Sequence, residues 1–348
     1  MTIDLPSLDT PPAGALRFNS DSGKLEYYNG EAWWQIDNFS ADNATGGARG
    51  VFGGGYSPGA YRTTIDYIQI STTGNAISFG TLGVSARYIP GACADRTRGL
   101  FGGGEAPGTF LNSIEYLTIS STGNSVSFGS LVAGGRIYPA ACASSTRGLF
   151  AGGATPGPTN LNLIEYVTIQ ATGNSIDFGD LVQTRNRSYS AASPTRGVFA
   201  GGFTPTSSAT GNAIDFVTIS TLGNAADFGD LSQARGSSFG SASNAIRGVF
   251  AGGYITPASL QNTIEYITFA TLGNAQDFGD LSVVTYYGTA TSSSTRGAFA
   301  LGITTPLSTF LNTIEYVTIM SAGNSIDFGD LTVTRAGTGA CSNGHGGL

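Results

Sequence analysis

Arg147-Gly148-Leu149-Phe150-Ala151-Gly152-Gly153, followed by Ile164-Glu165-Tyr166, Gly173-Asn174 and Asp177-Phe178-Gly179-Asp180, is one period of a pattern that fills most of this chain. The Arg-Gly step recurs at Arg49, Arg98, Arg147, Arg196, Arg247 and Arg296, at spacings of 49, 49, 49, 51 and 49 residues. Gly-Asn returns with Asn75, Asn124, Asn174, Asn224, Asn274 and Asn324. The Ile-acid-aromatic unit is centred on Asp66, Glu115, Glu165, Asp215, Glu265 and Glu315. Six copies in one order mark an array of structural repeats.

Each copy holds four segments of strand character. In the third, 148–153 is a small and apolar run, and 164–169 is a β-branched stretch suited to a half-buried strand. The Thr172-Gly173-Asn174 turn leads into 176–181, because Gly and Asn tolerate positive φ. Arg185 then opens a run of small residues that ends at Ser193-Pro194-Thr195. No segment has a 3.6-residue apolar period, which excludes helical repeats.

Four strands in about fifty residues fit the longer class of propeller blade. The strand order resembles the kelch repeat from about Arg49 onward. Where kelch blades carry Trp in the outer strand, this chain has Phe79, Phe128, Phe178, Phe228, Phe278 and Phe328; Phe can fill the same slot between blades. The resemblance implies an all-β fold: a six-bladed β-propeller of four-stranded kelch-like blades over residues 41–348, with repeats starting near 49, 98, 147, 196, 247 and 296. The small-residue strand begins at Arg87, Arg136, Arg185, Arg235, Thr285 and Arg335. Residues 38–48 do not match it and 335–343 do, so 335–343 is expected to pair with 50–55 and close the ring.

Residues 1–40 are a separate segment. Leu16-Arg17-Phe18-Asn19, a turn, Lys24-Leu25-Glu26-Tyr27-Tyr28, Asn29-Gly30 and Trp33-Trp34 read as a three-stranded meander too small to be stable alone. The pattern resembles short N-terminal modules of tail-fibre and other virion structural proteins of tailed bacteriophages, and the repeats also look like propeller arrays of phage structural proteins. That resemblance implies an attachment segment carried by Phe18, Tyr27, Trp33 and Trp34, other virion proteins as partners, a homo-oligomer with a trimer favoured, and a place in the virion on a tail or other surface appendage.

Composition limits the alternatives. The net charge of −7, with Lys24 the only lysine, lacks the basic footprint of a nucleic-acid or anionic-membrane partner. No run of about twenty apolar residues is present to span a bilayer, and 1–6 lacks the basic and apolar regions of a secretory leader.

Candidate chemistry is sparse. The six Arg-Gly arginines are expected to be structural, capping carbonyls. The Asp-Phe-Gly-Asp units lack the companion motifs of a kinase, and acids three apart on a strand are expected to point to opposite faces. Cys93, Cys142 and Cys341 read as small buried thiols. His345 is the only histidine, so no catalytic residue, metal site or cofactor is expected.

The loops after the Arg-Gly strands vary and carry Tyr56, Tyr61, Phe110, Phe203, Tyr254 and Phe310, the candidate binding residues. They are expected to share one face with loops bearing Tyr88, Tyr138, Tyr189, Phe239, Tyr286 and Tyr287. The expected function is a non-enzymatic virion protein whose displayed propeller touches a host glycan or receptor, or a neighbouring subunit. The alternatives are an intracellular kelch-type interaction module and, third, a glycan-active enzyme.

Overall fold

The computed structural model describes residues 11–19, 24–36, 48–157, 159–204, 210–236, 240–256, 259–304 and 309–348. The chain divides into two units, Met1–Ala44 and Thr45–Leu348. Every element among the described residues is a β-strand, so no helix is long and apolar enough to cross a membrane.

The first unit holds one antiparallel sheet of Leu16–Asn19, Lys24–Tyr28 and Trp33–Ile36, joined at the second turn by Asn29. The Asn29 side chain accepts from the Glu31 and Ala32 amides at 2.8 Å, which fixes that turn.

Among the described residues the second unit contains six four-stranded antiparallel sheets, an arrangement compatible with propeller blades. In the third, Ala140–Ala143, Arg147–Ala151, Leu163–Thr168 and Ile176–Asp180 lie side by side in chain order. Each sheet is named after the arginine that starts its second strand. The Arg49 sheet borrows its first strand from the far end of the chain. Gly339–Ser342 pairs antiparallel with Arg49–Gly53, with Cys341 opposite Val51.

Packing explains the repeat markers. In the second strand the Phe is fully buried in every copy, and in the Arg147 sheet its ring lies where a Cβ on Gly102 of the Arg98 sheet would stand, at 2.6 Å. The first strands are small because they crowd together. Each of Gly91–Ala94, Ala140–Ala143, Tyr189–Ala192, Ser241–Ser243, Thr289–Ser292 and Gly339–Ser342 packs against two of the others. The fourth-strand Phe meets the third-strand aromatic edge to face, as in Phe178 with Tyr166 at 6.1 Å and 77°.

The fourth strand carries a β-bulge in every sheet, and in the Arg147 sheet it lies opposite Ile164 and Glu165. It corrects one expectation. Asp177 and Asp180 stand opposite Glu165 and Leu163, two positions apart and therefore on one side of the sheet, because the bulge adds a residue to the simple alternation.

The bulge glycine receives the Gly-Asn turn of the next sheet. Gly179 has φ 144°, and a Cβ there would meet the Gly223 carbonyl oxygen at 2.4 Å. The Gly223 amide donates to the Phe178 carbonyl at 2.9 Å, and the Asn224 side-chain oxygen accepts from the Asp180 amide at 3.0 Å. The same clamp joins the last sheet to the first: the Asp330 amide donates to Asn75 at 3.1 Å, and the Gly74 amide to the Phe328 carbonyl at 2.8 Å.

Candidate functional site

The arginines of the repeat fall into two sets with different surroundings. Those of the Arg-Gly step reach into a neighbouring sheet. Arg147 Nη1 donates to the Ile219 carbonyl at 2.9 Å while its guanidinium lies over Tyr166, and Arg296 donates to the Ser71 carbonyl at 2.9 Å over Tyr316. Arg49, Arg98, Arg196 and Arg247 do the same with carbonyls of Ser120, Ile169, Phe269 and Ile319.

The second set stands at the entries to the first strands and is fully buried. Arg136 pairs with Glu165 at 2.6 Å, Arg235 with Glu265 at 2.6 Å and Arg335 with Asp66 at 3.0 Å; Arg87 pairs with Glu115 and Arg185 with Asp215. Burial lowers the Arg136 pKa, and Glu165 opposes the shift. The sixth position is Thr285. Its sheet's acid, Glu315, is held instead by the hydroxyls of Ser282 and Ser325 and by the Ser282 amide at 3.1 Å. These ion pairs form a structural set that sequence reading missed, although the arginine and the acid each recur with the period.

The first strands enclose two small cavities. One, of about 80 Å³, is lined by residues of all six, among them Ser190, Ser241, Thr289 and Thr338. The other, of about 50 Å³, reaches Cys93, Cys142, Cys341 and His345. The thiols are free and buried, and burial pushes those of Cys142 and Cys341 up to about 12. They have a packing reason: the Cys142 sulfur stands 3.0 Å from where a Cβ on Gly197 would be. His345 Nε2 donates to the Ala94 carbonyl at 2.6 Å and Nδ1 accepts from the Gly347 amide at 3.0 Å, while burial lowers its pKa. Among the described residues no three His, Cys, Asp or Glu side chains are grouped to hold a metal ion.

Beside the larger cavity, and sharing Tyr138 with it, stands a crown of aromatic rings. The residue after each Gly-rich loop bridges to the entry of a first strand, as in Tyr56 with Ala336, Tyr88 with Glu105 and Asn186 with Phe203. At five of the entries the next residue holds the left-handed region: Ile89 at φ 54°, Tyr138 at 58°, Arg187 at 57°, Tyr287 at 56° and Gly337 at 63°. Tyr138 also lines the cavity.

Five of the six candidate binding residues belong to this crown. Tyr56 touches Tyr61 at 5.4 Å, Tyr88 at 5.7 Å and Phe310 at 6.0 Å between centroids, and Phe203 stacks on Tyr254 at 6.0 Å. Tyr88, Tyr138, Tyr286 and Tyr287 link the two groups. Phe110 is half-buried in a short hairpin opposite Glu105 and makes no ring contact with another described residue. Tyr189 is a correction: it is fully buried against Phe250 and donates to the Gly252 carbonyl at 2.8 Å, because it lies within a first strand rather than before it. Phe239 lies outside the described residues.

Burial raises the pKa of Tyr88 and Tyr287, with Arg187 opposing the shift in both. The Tyr61 hydroxyl donates to Glu105 at 3.0 Å, and burial followed by that bond raises the Tyr61 pKa. Arg187 is the residue that sequence reading missed. Its signal is a second arginine two places after the repeat's own, where no other copy has one.

Of the attachment residues, Tyr27 and Trp34 are exposed and stand in one cross-strand row with exposed Leu16. Trp33 is half-buried beneath the Arg17 guanidinium at 4.2 Å and beside Tyr28 at 5.3 Å. Phe18 lies in the first strand, opposite Leu25. No protein-family model matches this chain, and no curated protein matches it.

Proposed function

We propose that the second unit is a closed six-bladed, kelch-like β-propeller and that the chain is a non-enzymatic virion structural protein of a tailed phage. It displays the propeller on an appendage, with the aromatic crown turned to a host-surface saccharide. The observation that carries this reading is the crown itself: nine rings gathered from variable loops over a rigid repeated frame. Rigid rings offer stacking surface at small entropic cost, and an appendage multiplies weak sites through effective concentration. Ring closure is supported by the Gly339–Ser342 pairing and by the Asn75 clamp on Asp330. The exposed row of Leu16, Tyr27 and Trp34 supports an attachment role for the first unit.

The experiment is a glycan array probed with the oligomeric chain and with a variant carrying Tyr56→Ala, Phe203→Ala and Tyr254→Ala together. Wild type is expected to mark a subset of saccharides, and the variant to lose them without a change in melting. Identical patterns would return the crown to loop packing.

A further inference from the structure

We propose that Arg187 makes the crown selective for acidic saccharides, by binding the carboxylate of a uronate-type residue that packs beside the neighbouring aromatics. This rests on the saccharide reading of the crown and names the ligand class within it.

The first observation is electrostatic. The buried arginines of the first-strand entries each have an acid, and those of the Arg-Gly step each reach carbonyls. Arg187 has neither among the described residues. Its guanidinium lies over Tyr138 at 4.3 Å, Phe203 at 5.0 Å and Tyr287 at 5.6 Å, and donates once, to the Tyr138 hydroxyl at 2.9 Å. Glu105, an acid bridged to the crown through Tyr88, is taken by Tyr61. In a chain of net charge −7, Arg187 is thus a half-buried cation with no acid partner among the described residues.

The second observation is conformational. Arg187, Tyr138 and Tyr287 hold a left-handed backbone that disfavours large side chains, and the equivalent Gly337 satisfies it without strain. Bulky side chains held there by their surroundings are the kind of strain that collects at ligand sites. The third is chemical. A guanidinium fork matches a carboxylate in geometry as well as charge, and its attraction is stronger where rings exclude water. The rings of Tyr138, Phe203 and Tyr287 around the guanidinium then give the bound sugar an apolar border.

The test is calorimetric titration of the full chain with tetragalacturonate and with neutral galactotetraose at low salt. Wild type is expected to bind the uronate at least about tenfold more tightly, and Arg187→Gln to lose that margin while keeping its affinity for the neutral sugar. Added salt should weaken uronate binding alone. Arg187→Gly, which relieves the backbone strain, should melt no lower than wild type and show the same loss, so that misfolding cannot explain it. Equal affinity for both sugars, or uronate binding unaffected by Arg187→Gln, would overturn the proposal and leave the saccharide reading standing. Binding of neither sugar by any variant would count against this proposal and that reading together.

Discussion

Tyr138 and Tyr287 face each other with ring planes 18° apart and centroids 6.2 Å apart, although 149 residues separate them in the chain. Their hydroxyls are 3.3 Å apart, and Arg187 donates to that of Tyr138. The contact joins the Arg147 sheet's entry to that of the Arg296 sheet, and Tyr138 also lines the larger cavity.

This contact makes alkaline stability depend on the crown. Burial first, then neighbouring tyrosines, raise the pKa of Tyr88 and Tyr287 above the ordinary value of 10.0. A raised folded-state pKa means the neutral hydroxyl is favoured by folding. Its stabilisation is complete below pH 10 and lost as pH climbs through the folded-state value. Ultraviolet titration is expected to show a slow tyrosine fraction that ionises only above that pH, with unfolding. Tyr287→Phe should flatten the fall in stability; an unchanged profile would assign it elsewhere.

The buried ion pairs predict an asymmetry between sheets. Glu165→Gln strands the Arg136 guanidinium without its counter-charge and should cost about 3–5 kcal/mol. Glu315→Gln removes a carboxylate held by hydroxyls and an amide, so it should cost about 1 kcal/mol. Denaturant titration of the two variants side by side measures the difference, and equal losses would contradict it.

Gly179 offers a sharper steric test. Alanine there would need both an unfavourable φ and a Cβ inside the contact distance of Gly223, so Gly179→Ala should cost at least about 2 kcal/mol. Gly157, whose Cβ would meet nothing within 4 Å, is the control for positive φ alone, at 98°. A matching loss at both positions would remove the Gly-Asn turn from the explanation.

Deleting residues 331–348 should remove the first strand of the Arg49 sheet and leave the Arg49–Gly53 strand as an unpaired edge. Insoluble or strongly destabilised protein is expected. Melting like that of the full chain would show that the first strand is dispensable.

The repeat was legible because its markers have steric causes. Gly197 faces the Cys142 sulfur, Gly179 faces a turn, and Asn224 holds a neighbouring amide, so glycine and a short side-chain acceptor recur in those places. The buried Arg136 and Glu165 were not legible as a pair, since an arginine ahead of a small-residue run reads equally well as a surface cap. Asp177 and Asp180 were misplaced because alternation fails at a bulge. Tyr189 was grouped with the loops although it sits one step inside a strand. Arg187 escaped because its importance lies in a departure from the period, and a search for repeats averages such departures away.

The left-handed positions are not all alike: Ile89, Tyr138, Arg187, Tyr287 and Gly337 place four residue types on one repeated frame, and only one of them is a cation. A ligand gripped by Arg187 therefore cannot be gripped again by rotation to the next repeat. Occupancy there should saturate at one molecule per chain despite six repeats, so that a binding stoichiometry measured on any assembly counts its subunits directly.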